Sequence, residues 1–106
     1  MAGLSDVISR EEIIKALAEI EALMKQYHSD VALLSSQRQM LYLLALLDGI
    51  ESDDSALENI TLGYMAVYQL SDVLSPDMSE LMTSISGRIR NYLRKHGRQL
   101  QIDQTE

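Results

Sequence analysis

Apolar residues recur at helical spacing in four segments of the chain, and no run of four or more residues alternates as a strand would. The first segment begins at Ser9 and Glu12, a capping box whose side chains can satisfy free backbone amides of the first turn. The second runs from about 31 to 48, with Gly49 as its C-terminal stop. Because its apolar residues cover more than one side after Met40, we expect this helix to be the central one.

The third segment follows a polar loop that ends in cap residues, and its apolar spacing predicts one helix over about 55–70. Thr61, Gly63 and Tyr64 fall in the middle of this helix, where helix propensity alone would not place them. Gly63 has one simple interpretation, which is that it lets another helix approach closely at a crossing. Residues 71–75 are predicted to be a connector.

The fourth segment has a strong helix start, with Ser75 as the cap, Pro76 at the first position and Asp77 facing the helix dipole. We expect it to end near Gly97. The polar tail over 101–106 is predicted to be frayed.

Short loops between helices of similar length favour antiparallel neighbours. The sequence therefore predicts an all-α fold, a compact bundle of about four mostly antiparallel helices in a single domain over 1–106. The N-terminus lacks the basic and apolar regions of a secretory signal, and the longest apolar run, 43–47, is too short to span a bilayer. With no cysteine in the chain, we predict a cytoplasmic protein without disulfides.

Charge is unevenly distributed in this chain, whose net charge is −7. Residues 1–87 hold 4 Lys or Arg against 14 Asp or Glu, and residues 88–106 hold 5 against 2. An acidic body argues against binding to nucleic acid and suits a basic protein partner. Because no apolar run can span a bilayer, we also predict no membrane partner. The basic residues at the end of the fourth helix have two interpretations: cations that offset the helix dipole and keep that helix soluble, or a patch for nucleic acid or an anion, which the acidic body disfavours.

Catalytic and metal-binding patterns are missing from the sequence. His28 lies at a helix break and His96 in the last helical turn, and neither belongs to a zinc or di-iron motif. The acidic cluster of Glu51, Asp53 and Asp54 lacks the spacing of a calcium loop, and the glycines are too scattered to cradle phosphate. We predict no catalytic residue, no cofactor and no metal, and therefore not an enzyme.

Candidate binding residues lie around the third helix. Tyr64 and Tyr68 are four residues apart and share one helix face, which is typical of core or edge packing but also of an interface hot spot. Asp53, Asp54 and Glu58 precede them. These carboxylates have two interpretations, an ordinary solvated loop or a docking patch for Lys or Arg of a partner.

Two blocks of residues occur in the order and spacing of a known family. They are Leu33-Leu34-Ser35, Gln39 and Tyr42, and then Ser55-Ala56-Leu57, Ile60-Thr61-Leu62-Gly63 and Ala66-Val67, followed by a helix start at Pro76. Over about residues 31–82 the chain resembles the small all-helical immunity proteins that neutralise type VI secretion effectors with NAD(P)-glycohydrolase toxin domains.

The resemblance implies a stoichiometric, cytosolic inhibitor that binds a cognate toxin domain and covers its active site. On this interpretation Asp53, Asp54, Glu58, Tyr64 and Tyr68 are the residues predicted to face the toxin. Two alternatives stay open, immunity to another toxin class such as a (p)ppApp synthetase, and a secretion chaperone or helical adaptor. A homo-oligomer is possible on this evidence.

Overall fold

The structure, a computed structural model, describes residues 3–98. All the regular secondary structure in this part of the chain is helical. This confirms the predicted all-α class with four α-helices. The α-helices are α1 (Arg10–Gln26), α2 (Val31–Leu47), α3 (Leu62–Tyr64) and α4 (Pro76–Lys95); Leu4–Asp6 and Ser55–Asn59 are 3-10 helices, and Met65–Gln69 is a π-helical turn.

Side-chain caps begin the three long helices at the predicted places. At α1 the Ser9 hydroxyl accepts a hydrogen bond from the Glu12 amide at 3.2 Å, and the Ser9 amide donates to the Glu12 carboxylate at 3.1 Å. The side chain of Asp30 caps α2 and that of Ser75 caps α4, which also has its proline in the first turn. Each cap satisfies an amide that the helix itself leaves without a partner.

Glycines stop α2 and α4, as the sequence predicts. Gly49 has a φ of 75° and Gly97 a φ of 74°, in the left-handed region that glycine enters without steric cost. Each helix ends two residues before its glycine. The tail over 101–106, predicted to be frayed, lies outside the described residues.

The central helix is α4, so the expectation that α2 would be central is wrong. α1 and α2 pack together as a hairpin, whereas α4 contacts α1, α3, the π-helical turn and the 3-10 helix Ser55–Asn59. After Met40 the apolar residues of α2 do cover more than one side: Leu43 is buried and Leu41 is exposed, whereas Leu44, Leu46 and Leu47 are partly buried against the core. The core residues of α4 are Met78, Met82, Ile85, Ile89 and Leu93.

The predicted continuous helix over 55–70 is also wrong, because the chain breaks at Ile60 and Thr61. The side-chain amide of Gln39, on α2, donates to the Thr61 hydroxyl and accepts from the Thr61 backbone amide, both at 2.8 Å. A backbone amide bonded in this way is not available to continue a helix from Ser55–Asn59. Long-range side-chain hydrogen bonds have therefore replaced helical ones.

The π-helical turn Met65–Gln69 explains why the apolar spacing after Thr61 looked helical. The Leu70 amide donates to the Met65 carbonyl at 2.8 Å, five residues back. Leu62, Ala66 and Leu70 are all buried at strict four-residue spacing. An α-helix would rotate each four-residue step roughly 40° out of line, and the wider π turn brings these side chains back to one face.

Candidate functional site

Two tyrosines and a valine form an exposed apolar surface on α3 and the π-helical turn. The rings of Tyr64 and Tyr68 lie 5.0 Å apart between centroids and are tilted by 42°, a separation at which aromatic pairs attract each other. Tyr64 is 40% exposed and Tyr68 is 70% exposed, and Val67 is exposed as well. We call Tyr64, Val67 and Tyr68 the tyrosine patch.

A close helix contact holds the tyrosine patch in place. The backbone amide of Gly63 donates to the Ser86 hydroxyl, on α4, at 2.6 Å. A Cβ atom at position 63 would lie 3.2 Å from the Cβ of Ser86, closer than side chains usually approach. The predicted role of Gly63 is therefore confirmed, since it lets α3 approach α4. The neighbouring Tyr64 is consequently attached to the central helix of the fold.

Arg98, just after α4, joins two of the predicted acidic residues. Its Nε donates to the Glu58 carboxylate at 2.6 Å, and its Nη1 lies 3.3 Å from a carboxylate oxygen of Asp54. Its Nη2 also donates to the Asp54 backbone carbonyl at 2.9 Å. The Glu58 contact raises the pKa of Arg98, so this cation stays charged. Asp54 and Glu58 therefore hold the 3-10 helix Ser55–Asn59 against the end of α4.

Asp53 shapes the loop before that 3-10 helix. Its carboxylate accepts a hydrogen bond from the Ser55 backbone amide at 3.0 Å, which lowers the pKa of Asp53. Its carbonyl accepts from the Tyr42 hydroxyl at 2.7 Å. Burial is the main cause that raises the pKa of Tyr42, so the phenol remains a donor. Asp53 thus presents an ionised, exposed carboxylate from a loop tied to α2.

The five predicted site residues fall into two groups. Arg98 brings Asp54 and Glu58 together next to Asp53, and the ring contact brings Tyr64 and Tyr68 together. Among residues 3–98, no hydrogen bond, ion pair or ring contact links the acidic group to the tyrosines. Thr61, which Gln39 holds through two hydrogen bonds, lies between the two groups in the chain.

The basic end of α4 has structural roles that sequence reasoning missed. Arg88 donates from Nη1 and Nη2 to the two carboxylate oxygens of Glu12 at 3.0 and 2.8 Å, and from Nη1 to the Val7 carbonyl at 2.9 Å. Hydrogen bonds from Arg88 hold the pKa of Glu12 below its ordinary value, although burial opposes this shift. The cluster of basic residues was visible in the sequence, but nothing there identified its carboxylate partners.

Other features of the described residues bear on what the surface can do. Within residues 3–98 no group of three or more His, Cys, Asp or Glu side chains is placed to hold a metal ion. In the same part of the chain no helix is long and apolar enough to cross a membrane. A shallow hollow of about 310 Å³ lies where α1 ends and α2 begins. It is lined by Met24, Tyr27, His28, Ser29, Asp30, Val31 and Leu34.

An exposed pair of tyrosines and an acidic loop on a small helical domain are features that protein-binding domains commonly have. The chain is a member of the Tsi6 family, whose family model matches residues 8–91. Tsi6 proteins are type VI secretion immunity proteins for NAD(P)-glycohydrolase effectors, and the family is not an enzyme family. Comparison with curated proteins and with solved structures gave no match.

The family match confirms the resemblance seen in the sequence and extends it beyond residues 31–82, into α1 and further along α4. The protein is therefore an immunity protein for a type VI effector, and its partner is a toxin protein.

Proposed function

We propose that this protein inhibits an NAD(P)-glycohydrolase toxin domain in the cytoplasm, by binding over the toxin's nucleotide site. Membership of the Tsi6 family supports the choice of toxin class. The net charge of −7 supports the mode of binding, because a cleft that holds nucleotide phosphates is often electropositive. Inhibition of this kind needs no turnover, only a complex that is slow to dissociate.

The observation that carries this proposal is the tyrosine patch. Tyr64 and Tyr68 offer large, amphipathic side chains with few rotatable bonds, which lose little entropy on binding. They are exposed although the same segment buries Leu62, Ala66 and Leu70. We assign the two tyrosines as the anchors that fill a depression on the toxin.

The acidic group has a second role in the proposed complex. Asp53 is free to approach a Lys or Arg of the toxin, because its carboxylate is exposed. Asp54 and Glu58 are already paired with Arg98, so in this proposal they add to the negative electrostatic potential of the surface and make few direct contacts with the toxin. Charges of this type mainly accelerate association, and anchors mainly slow dissociation.

Co-expression with a type VI effector that carries an NAD(P)-glycohydrolase domain, the proposed cognate toxin, tests the proposal. We expect the toxin domain alone to deplete NAD(P) and stop growth, and we expect this protein to restore both. If the toxin instead makes (p)ppApp and leaves NAD(P) unchanged, and this protein still restores growth, the toxin belongs to a different class. A complex that forms but leaves the toxin active would indicate a chaperone or adaptor.

Alanine substitutions test the anchors. Tyr64→Ala and Tyr68→Ala are each expected to weaken the purified complex by more than about 1 kcal/mol, or roughly fivefold in Kd, mostly through faster dissociation. Tyr27→Ala is the matched control, since Tyr27 is about as exposed as Tyr64 but lies at the end of α1. Unchanged affinity for both patch variants, at unchanged stability, would remove these tyrosines from the interface.

A further inference from the structure

The outer face of α2 carries an apolar stripe that the proposed toxin contact does not use. Val31, Leu34 and Leu41 are all exposed, and Arg38 lies between the last two. Their spacing of three, four and three residues places all four on one face of the helix. We call Val31, Leu34, Arg38 and Leu41 the α2 stripe.

The two ends of the α2 stripe differ in shape. At its start, Val31 and Leu34 form part of the wall of the 310 Å³ hollow between α1 and α2. At its other end Leu41 is exposed, ten residues from Val31 and therefore roughly 15 Å along the helix axis. The stripe thus has a hollow at one end and, at the other end, an apolar side chain of a kind that can enter the hollow of a second molecule.

The residue spacing of the α2 stripe is symmetric, with steps of three, four and three residues from either end. If a second copy is laid against it antiparallel, about a two-fold axis near position 36, Leu41 of that copy meets Val31 and its hollow. By the same symmetry, Arg38 of the second copy lies beside Leu34, where its hydrocarbon stem can cover the leucine with the guanidinium in water. An isologous dimer requires this kind of self-complementary surface.

We propose that two copies of this protein pair antiparallel along the α2 stripe. Charge decides in favour of a second copy as the occupant. α2 contains one charged residue, Arg38, among its 17, in a chain whose net charge is −7. A basic toxin surface would find no carboxylate within α2, and the carboxylates that border the stripe are already bonded, Asp30 to the Leu33 amide and Glu21 to Gln37. Two acidic copies therefore repel each other less along α2 than through their acidic loops.

The dimer is expected to be weak, because one helix face buries less than the roughly 1,200 Å² of a stable interface. Sedimentation velocity over protein concentrations up to about 500 µM is therefore the appropriate measurement for a contact of this size. The wild-type mass should rise from monomer toward dimer across the series. A mass that stays monomeric at the highest concentration would overturn the proposal.

Two matched variants locate the contact. Val31 is 78% exposed and Ile50, in the loop after α2, is 82% exposed, so neither substitution disturbs the core. Val31→Glu should keep the protein monomeric at every concentration, and Ile50→Glu should associate like the wild type. Equal behaviour of the two variants would exclude the α2 stripe as the interface.

Cross-linking tests the antiparallel register, since the natural chain has no cysteine. A mixture of Val31→Cys and Leu41→Cys proteins should give dimers with a short bifunctional maleimide, and each variant alone should give few. Equal cross-linking in the mixture and in each variant alone would overturn this register. The sedimentation and cross-linking measurements omit the toxin, so they do not depend on the inhibitory function.

A separate measurement of toxin affinity distinguishes the other occupant of this surface. If the protein stays monomeric and Val31→Glu weakens toxin binding, the stripe is a toxin surface and the dimer proposal is wrong.

Discussion

The α1–α2 hairpin and the segment over residues 55–70 follow different rules. Each helix of the hairpin begins at a cap residue that directly precedes it in the sequence, Ser9 or Asp30. The later segment is instead held by Gln39 from α2, Ser86 from α4 and Arg98 beyond α4. The surface with the tyrosine patch therefore depends on side chains remote in sequence, although its apolar pattern is that of a simple helix.

Short 3-10, α and π turns such as those of residues 55–70 have little stability of their own, because each is too short to offset the cost of helix nucleation. The hairpin helices have 17 residues each and are capped. We therefore expect substitutions of remote partners to destabilise the later segment more than the hairpin.

Gly63→Val should have the largest effect. The branched side chain would meet Ser86, so α3 must move away from α4 and the amide hydrogen bond is lost. We expect the free energy of unfolding to fall by about 2–3 kcal/mol in urea denaturation. Gly87→Val is the control, because a Cβ there meets nothing within 4 Å. An equal loss in both variants would contradict the role assigned to the close contact.

Gln39→Ala should be the next largest. It removes both hydrogen bonds to Thr61 and leaves the Thr61 amide without its acceptor. We expect a loss of about 2 kcal/mol, together with faster hydrogen exchange at Thr61. The control is Gln37→Ala, two residues away on α2, which removes one exposed hydrogen bond to Glu21. If Gln37→Ala lowers the free energy of unfolding by as much, the hydrogen bonds between Gln39 and Thr61 are not what holds the segment in place.

Helix starts and stops were predictable because each depends on a few adjacent residues. Ser75 and Pro76 mark the start of α4 in the sequence, and Gly49 marks the end of α2. The break at Thr61 was not predictable, because its cause is a side chain 22 residues earlier. The pairing of Arg98 with Glu58 spans 40 residues and was hidden for the same reason.

The candidate site was predictable in part. The i,i+4 spacing of Tyr64 and Tyr68 correctly indicated a shared face, and a π turn preserves that spacing as well as an α turn does. The prediction that α2 is the central helix was wrong, because periodicity identifies apolar positions without showing which of them find a partner.

The smallest effect is expected from the charge of Glu12, which connects the hairpin to α4. Glu12→Gln keeps the capping box, since glutamine also serves at that position, and removes only the ion pair with Arg88. Both side chains of the pair remain 33% exposed, so water screens it. The hairpin is thus also linked over long range, but through a contact of modest strength.

The pH dependence of this variant has a definite sign. Arg88 lowers the pKa of folded Glu12 below its ordinary value of 4.5, so the stabilisation is fully present above 4.5 and is lost as the pH falls through the lowered pKa. The difference in unfolding free energy between wild type and Glu12→Gln should therefore be largest at neutral pH and should shrink in acid. A difference that stays constant from neutral to acid pH would contradict the role assigned to the ion pair with Arg88.

The π-helical turn Met65–Gln69 has a consequence for how this surface can evolve. A π-helical turn closes with one residue more than an α-helical turn, so loss of one codon there can restore α-helical hydrogen bonding while the residues on its two sides keep nearly their places. The steps from Tyr64 to Tyr68 and from Ala66 to Leu70 both cross position 67, so a deletion there would shorten each to three residues, a spacing that still shares one helix face. One-residue deletions should therefore be tolerated better in this turn than within α1 or α4, where they would rotate one half of the core face by roughly 100°.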